Sequence, residues 1–230
     1  CRETAVDTGL GTSAATAAGA TAALPSSRCS ATVLVVAAAV KQVHKPFGLT
    51  ENMLWEHSFA AGLAANMIAA EIQQINGEEA FLGGLFHDLG KTVMNIMDSK
   101  KFQVVMQKCY NNGTSFSEAE QYVYPYTHAE VGGLVIRKWN FPESLINAVF
   151  QHHSLDFSED DDPYQVKLSC VVGLANLFCH KAGIGVREPD ENLFLHQTKA
   201  AKMLDLSESQ TSSLLNKFEV IYNQDKSFFV

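Results

Sequence analysis

From Thr50 to the end of the chain, apolar residues recur three and four positions apart, and no segment alternates convincingly with a period of two. That periodicity belongs to amphipathic helices, so the expected fold class is all-α, a helical bundle. Start and stop residues divide it. Thr50 caps a helix running to about Gln74, which Asn76-Gly77 ends, and a second helix runs from Glu78 to about Met97. Ser117-Glu-Ala-Glu120 and Thr127-His-Ala-Glu130 both read as capping boxes, the second opening a helix to Trp139. Pro142 takes an early position in the next helix, which ends near His153. The acidic run Ser158–Asp162 reads as a solvated loop, after which Pro163 opens a helix that stops near Gly183. A last amphipathic helix follows Ser207, with Leu214, Leu215, Phe218 and Ile221 on its apolar side.

Polar residues interrupt these apolar stripes. His57 lies among Leu54, Ala61, Ala65, Ile68 and Ile72. Phe81, Gly84 and Leu85 are followed on one face by Asp88, with His87 beside it. His128 precedes Val131 and Val135; His152 continues the stripe of Leu145 and Val149, and His153 adjoins it. Asn176 shares a face with Val172 and Gly173.

A buried carboxylate without a partner costs several kcal/mol, so Asp88 is expected to be paired or metal-bound if it is buried. Any one of these histidines, taken alone, is more often a hydrogen-bonded core or surface residue than a ligand. Together, five histidines and an aspartate on the inner faces of four successive helices match the way bundles assemble metal sites. Imidazoles with a bridging carboxylate suit Fe, Mn, Ni or Zn, whereas an all-oxygen site suits Mg or Ca. The adjacent pair His87-Asp88 fits a binuclear site, in which the carboxylate bridges two ions. His44, His180 and His196 lie outside the set and read as structural, with a supporting contact behind a ligand as the lesser reading for His180, one turn beyond Asn176. Lys91, one turn after His87, fits a phosphate contact and a solvent-facing position equally well.

The segments Leu54-Trp-Glu-His57-Ser58, Glu79-Ala-Phe-Leu-Gly-Gly-Leu-Phe-His87-Asp88-Leu-Gly-Lys91, His128-Ala-Glu-Val-Gly132, Trp139-Asn-Phe-Pro142 and Gln151-His152-His153 occur in this order. The series resembles an HDOD domain, the signalling-output branch of the HD metal-dependent phosphohydrolase superfamily, over residues 51–183. The resemblance implies an HD-like helical bundle. It also implies His57, His87, Asp88, His128, His152 and His153 as metal ligands, with Asp88 and Lys91 serving catalysis, Lys91 at the phosphate. Two departures weaken the catalytic expectation. The superfamily usually closes its metal set with an aspartate on a late helix, where this chain has Asn176, a neutral and weaker ligand. The cyclic di-GMP phosphodiesterase branch, HD-GYP, follows its histidine pair with Gly-Tyr-Pro, where this chain continues Ser154-Leu-Asp-Phe.

The front of the chain differs in kind. Residues 1–40 hold 12 Ala and 6 Thr and no aromatic side chain, too little to bury, and are expected to be flexible or non-native. They lack the Leu-rich helical half with which HDOD domains normally begin, and an Ala/Thr-rich run also fits translation in a shifted frame. A helix is expected around Ala31–Val43, and residues 41–230 form the HDOD-like domain. The chain does not start with Met, as in a processed or truncated protein.

Composition narrows the functional classes. With 17 basic and 25 acidic residues the net charge is −8, without clustered Lys or Arg, so nucleic acid is not an expected partner. The apolar run Ala31–Val40 is about half a membrane span, so no membrane is expected either. Five scattered cysteines with no C-x-x-C pair fit reduced thiols and a cytoplasmic protein. The leading expectation is an HDOD-type signal-transduction output or regulatory module, metal-binding and weakly or not catalytic. Its partner would be a signalling protein or a small phosphate-containing ligand. The alternative is an active metal-dependent phosphohydrolase acting on a nucleotide, cyclic dinucleotide or phosphomonoester.

Overall fold

A computed structural model describes residues 49–186 and 188–226. Among them the backbone forms helices and no strand, as the periodicity requires; the helix expected at Ala31–Val43 lies outside them. Helix α1 (Leu49–Ile72) presents Phe59, Leu63 and Ile68 with a row of alanines, and α2 (Gly77–Phe86) packs along it. The expected helix from Glu78 to Met97 is in fact two. The chain turns at His87-Asp88, where Asp88 leaves helical geometry, before α3 (Leu89–Met97) begins. Helices α4 (Ser99–Asn112) and α5 (Phe116–Val123) pair with each other, and α6 (His128–Lys138) packs on α3. Helix α7 (Glu143–Gln151) lies between α6 and the central α8 (Pro163–Ala182). Every residue of α8 from Leu168 to Asn176 is buried, so it is enclosed on all sides rather than amphipathic. A 3-10 turn (Leu195–Gln197), α9 (Lys199–Met203) and α10 (Glu208–Asp225) close that end, with Phe218 against Phe178.

Two apolar clusters result. The larger joins α1, α2, α7 and α8 through Phe59, Phe81, Leu145 and Phe178. Each such fully buried side chain contributes about 1.5–3 kcal/mol. The smaller holds Met94, Phe102, Val105, Ala119 and Tyr124 beneath α3, α4 and α5. The His87-Asp88 turn is where the chain passes from one cluster toward the other.

Capping chemistry agrees with the sequence at Thr127, where the side chain accepts from Glu130 N and Glu130 answers at Thr127 N. Asp162 caps α8 and Ser207 caps α10. Elsewhere it differs. The box near residue 117 is Ser115 with Glu118, not Ser117 with Glu120. Pro142 is the cap residue before α7 rather than a residue inside it. Helix α4, not delimited from the sequence although Phe102, Val105, Met106 and Cys109 form its apolar stripe, starts at an Asp98 cap and ends at Gly113 with φ of 65°.

Candidate metal centre

Asp88 sits at the start of α3 with φ −100° and ψ 5°, and its side chain makes no capping bond. The turn therefore frees the carboxylate from helix duty and, at 2% exposed, aims it inward. Gly90, two residues on, lets α3 and α6 touch. A Cβ there would lie 1.9 Å from the carbonyl oxygen of His128. Only glycine allows that approach, and it holds His128 at the Asp88 carboxylate.

Four buried imidazoles are oriented alike. Nδ1–H of His87 donates to Gly84 O at 2.6 Å, and that of His152 to Val149 O at 2.6 Å. His57 Nδ1–H donates to Ile184 O at 3.0 Å, and His128 Nδ1–H to Glu120 Oε2 at 2.7 Å. Because a carbonyl only accepts, the proton belongs on Nδ1 and the Nε2 lone pair points into the cluster. On one side of Asp88, Oδ2 lies 3.6 Å from His57 Nε2, 3.5 Å from His87 Nε2 and 2.7 Å from Lys91 Nζ. On the other, Oδ1 lies 3.2 Å from His128 Nε2, which is 3.0 Å from His153 Nε2. His152 completes this side, its ring stacked obliquely on His153 at 3.9 Å between centroids.

Burial and charge then divide the groups by protonation. Burial lowers His57, drives His152 well down and brings His87 to about 3, so all three are neutral at pH 7. Burial alone would raise Asp88, but His87, Lys91 and His128 hold its carboxyl well below the usual range. For His128, burial and the Lys91 charge are outweighed by Asp88 and Glu120, and its pKa is raised.

Every residue expected at the site is there. His57, His87, Asp88, Lys91, His128, His152 and Asn176 are buried, and His153 lies at the exposed edge. Asn176 lies 3.0 Å from His57 Nε2. Two residues were not anticipated. Glu120 is fully buried on α5 and accepts both the backbone N–H and the ring N–H of His128. Its signal in the sequence, an acidic residue after Ala119 on the inner face of a short helix, was masked by the capping-box pattern. His180, read as structural, stands edge-on to His57 with ring centroids 5.5 Å apart. His44 falls outside the described residues, and His196 lies in the 3-10 turn.

Above the cluster opens a cavity of about 830 Å³, lined by Lys91, Tyr110, Phe116, His153, Asn176 and His180 among others. Lys91 reaches it with its ammonium 4.1 Å over the Phe116 ring.

A model of the HDOD domain family matches residues 14–155, more than half of the chain. The chain belongs to the HDOD family. The match begins inside the Ala/Thr-rich front segment. Among solved structures, an HDOD domain protein of unknown function from Geobacter sulfurreducens superimposes with a TM-score of 0.72 at 21% identity, covering 86% of this chain and 70% of that one. A provisionally assigned phosphohydrolase from Shewanella amazonensis SB2B gives 0.62 at 20% identity, covering 84% and 68%. Such identities speak for the fold. In sequence, Ribonuclease Y of Fusobacterium nucleatum is 32% identical over 104 residues, 45% of this chain and 15% of that protein. The chain spans less than a third of the length of the curated relatives it matches, between 15% and 29%.

The atoms of this HDOD domain fit a metal ion. His87 Nε2, His152 Nε2 and Asp88 Oδ1 are buried with no hydrogen-bond partner among the described residues, a costly arrangement unless something else binds them. The groups that can share an ion are Asp88, His128, His152 and His153 on one side and His57, His87 and Asp88 on the other. Their Nδ1 bonds to carbonyls and to Glu120 are the supporting contacts that hold histidine ligands in one tautomer and orientation.

Proposed function

We propose that this HDOD domain is a signal-transduction output module that binds a divalent transition metal, Fe, Mn, Ni or Zn, at the Asp88 cluster and hydrolyses phosphoesters weakly or not at all. The observation that carries this reading is Asn176. It stands beside His57 where an anion would help hold and charge-balance a metal, and it leaves Asp88 already paired with Lys91. The candidate ligands form two groups that share Asp88, one with His128, His152 and His153 and the other with His57 and His87, and Glu120 orients His128. A bound metal would supply Lewis acidity toward a phosphoryl oxygen. The chain itself supplies a cavity with a cation at its floor, aromatic rings of Tyr110 and Phe116, and hydroxyls of Thr114 and Ser117. That lining suits a small phosphate-containing ligand or the inserted side chains of a signalling protein. Free thiols at Cys109, Cys170 and Cys179 support a reducing, cytoplasmic setting. No helix among the described residues is long and apolar enough to cross a membrane.

One feature favours the second reading, a working phosphohydrolase: Lys91 opens on the cavity beside the imidazoles, where a substrate phosphate would meet it. Metal analysis of the purified chain, followed by turnover of a chromogenic phosphodiester, separates the two. Bound metal with turnover at background is expected. Substantial turnover that Asp88→Ala abolishes would establish the hydrolase instead, and a chain that takes up no metal refutes both.

A further inference from the structure

Resting on the metal-binding reading above, we infer that this chain holds a single ion, on the Oδ1 side of Asp88 among His128, His152 and His153, and that the Lys91 ammonium stands in for a second ion on the Oδ2 side. The two sides differ in which lone pairs are free. On the Oδ2 side the carboxylate oxygen already accepts from Lys91 Nζ at 2.7 Å, a charge-assisted bond in a buried setting. His57 is closed as well. Its Nδ1–H is committed to Ile184 O, so its Nε2 is an acceptor; the atom 3.0 Å away is Asn176 Oδ1, and only the exchanged amide orientation, with NH2 in that place, pairs with Nε2. An amide can turn its NH2 toward that lone pair; a carboxylate in its place has no proton to give. Asn176 thus caps the one His57 atom able to ligate, and His87 Nε2 is left as a lone free donor, too few for an ion.

The Oδ1 side is the reverse. Asp88 Oδ1 and His152 Nε2 have no hydrogen-bond partner among the described residues. His128 and His153 face each other nitrogen to nitrogen at 3.0 Å, a contact that one shared proton satisfies and that a cation satisfies equally. Four donors therefore converge within 4.8 Å of one another, held only by contacts among themselves. Charge agrees with geometry. Replacing a second carboxylate by Asn176 removes one negative charge from the Oδ2 side, and a monovalent ammonium replaces a divalent ion there.

Cobalt(II) is a suitable probe for the full chain, because its visible absorption distinguishes nitrogen and oxygen ligands from the cysteine thiolates. The chelator-stripped protein is expected to bind one Co²⁺ by calorimetry and elemental analysis. His152→Gln should weaken that binding by more than about 100-fold, beyond the roughly 10–100-fold usual for loss of a merely supporting group. His57→Gln should leave count and affinity unchanged, with melting of the metal-free variants reporting whether each is folded. The double variant Lys91→Met, Asn176→Asp should take up two. Two ions in the unaltered chain, or His57→Gln as damaging as His152→Gln, overturns the single-ion assignment while leaving metal binding intact. A double variant that still holds one ion overturns the role given to Lys91 and Asn176. No cobalt at all removes the assignment together with the metal-binding reading.

Discussion

The two oxygens of Asp88 belong to one carboxylate, yet their surroundings are opposite. Around Oδ2 the neighbours are chemically mixed: an ammonium, two imidazoles and an amide, with Lys91 and Asn176 already engaged. Around Oδ1 they are imidazoles alone, and the nearest contact, His128 Nε2 at 3.2 Å, forms no aligned hydrogen bond. Ligand-type residues are equally abundant on both sides. What separates them is the number of uncommitted lone pairs, which residue identity alone does not reveal.

The harshest way to break this contrast is to remove what the two sides share. Asp88→Asn keeps the shape and deletes the charge, leaving the Lys91 ammonium buried without its partner. Loss of one member of a buried pair costs about 3–5 kcal/mol, so the urea midpoint of the metal-free protein should fall markedly, and metal uptake should vanish. An unchanged midpoint would mean that Lys91 reaches water in solution.

Acid tests the imidazoles on both sides at once. His57, His87 and His152 have folded-state pKa values below the ordinary 6.5, so each takes up its proton more readily on unfolding. Their effect is absent above that value and grows as pH falls from 6.5 toward about 3, where His87 titrates when folded. His128 acts oppositely, because its raised pKa stabilises the fold below 6.5 and that contribution fades as pH rises. Three outweigh one. At pH 5.5 His87 alone costs about 1.4 kcal/mol, and His57 and His152 act in the same direction, so urea unfolding should show a clear loss of stability relative to pH 7.5.

Smaller effects sharpen the Oδ1 side specifically. Gly90→Ala would put a methyl group against the His128 backbone, where no side chain can yield, and should cost about 1–3 kcal/mol. Calorimetry on the same variant should show weakened metal binding as α6 is pushed away. Glu120→Gln leaves the packing alone but weakens the acceptor that orients His128. A loss of about 10–100-fold in metal affinity is expected, with little change in melting temperature. Equal losses in His57→Gln would erase the distinction between the sides.

Much of this was legible in the chain. Periodicity carries the all-α architecture, because each helix must turn one face to the core, and the histidines stand out as polar groups on those faces. The break between His87 and Asp88 was not legible. No proline marks it, its flanking glycines at 83, 84 and 90 read as ordinary close-packing positions, and the turn serves contacts made with α6. The residues 115–120 are more instructive. Ser115 with Glu118 and Ser117 with Glu120 are identical local patterns, and only tertiary contacts choose between them. Choosing Ser115 releases Glu120 from capping and lets it face His128, so the misplaced cap and the unforeseen site residue have one cause. His180 was passed over because its place at the site depends on where α8 meets α1, which local spacing does not contain.

Helix α5 carries a consequence of that choice. Its first turn lines the cavity through Phe116 and Ser117, while Glu120, on the next turn, holds both the main chain and the ring of His128. A molecule seated in the cavity and an ion seated beside His128 would therefore bear on successive turns of the same eight-residue helix. If occupancy of one tightens the other, thermodynamic linkage makes the effect mutual and equal in factor.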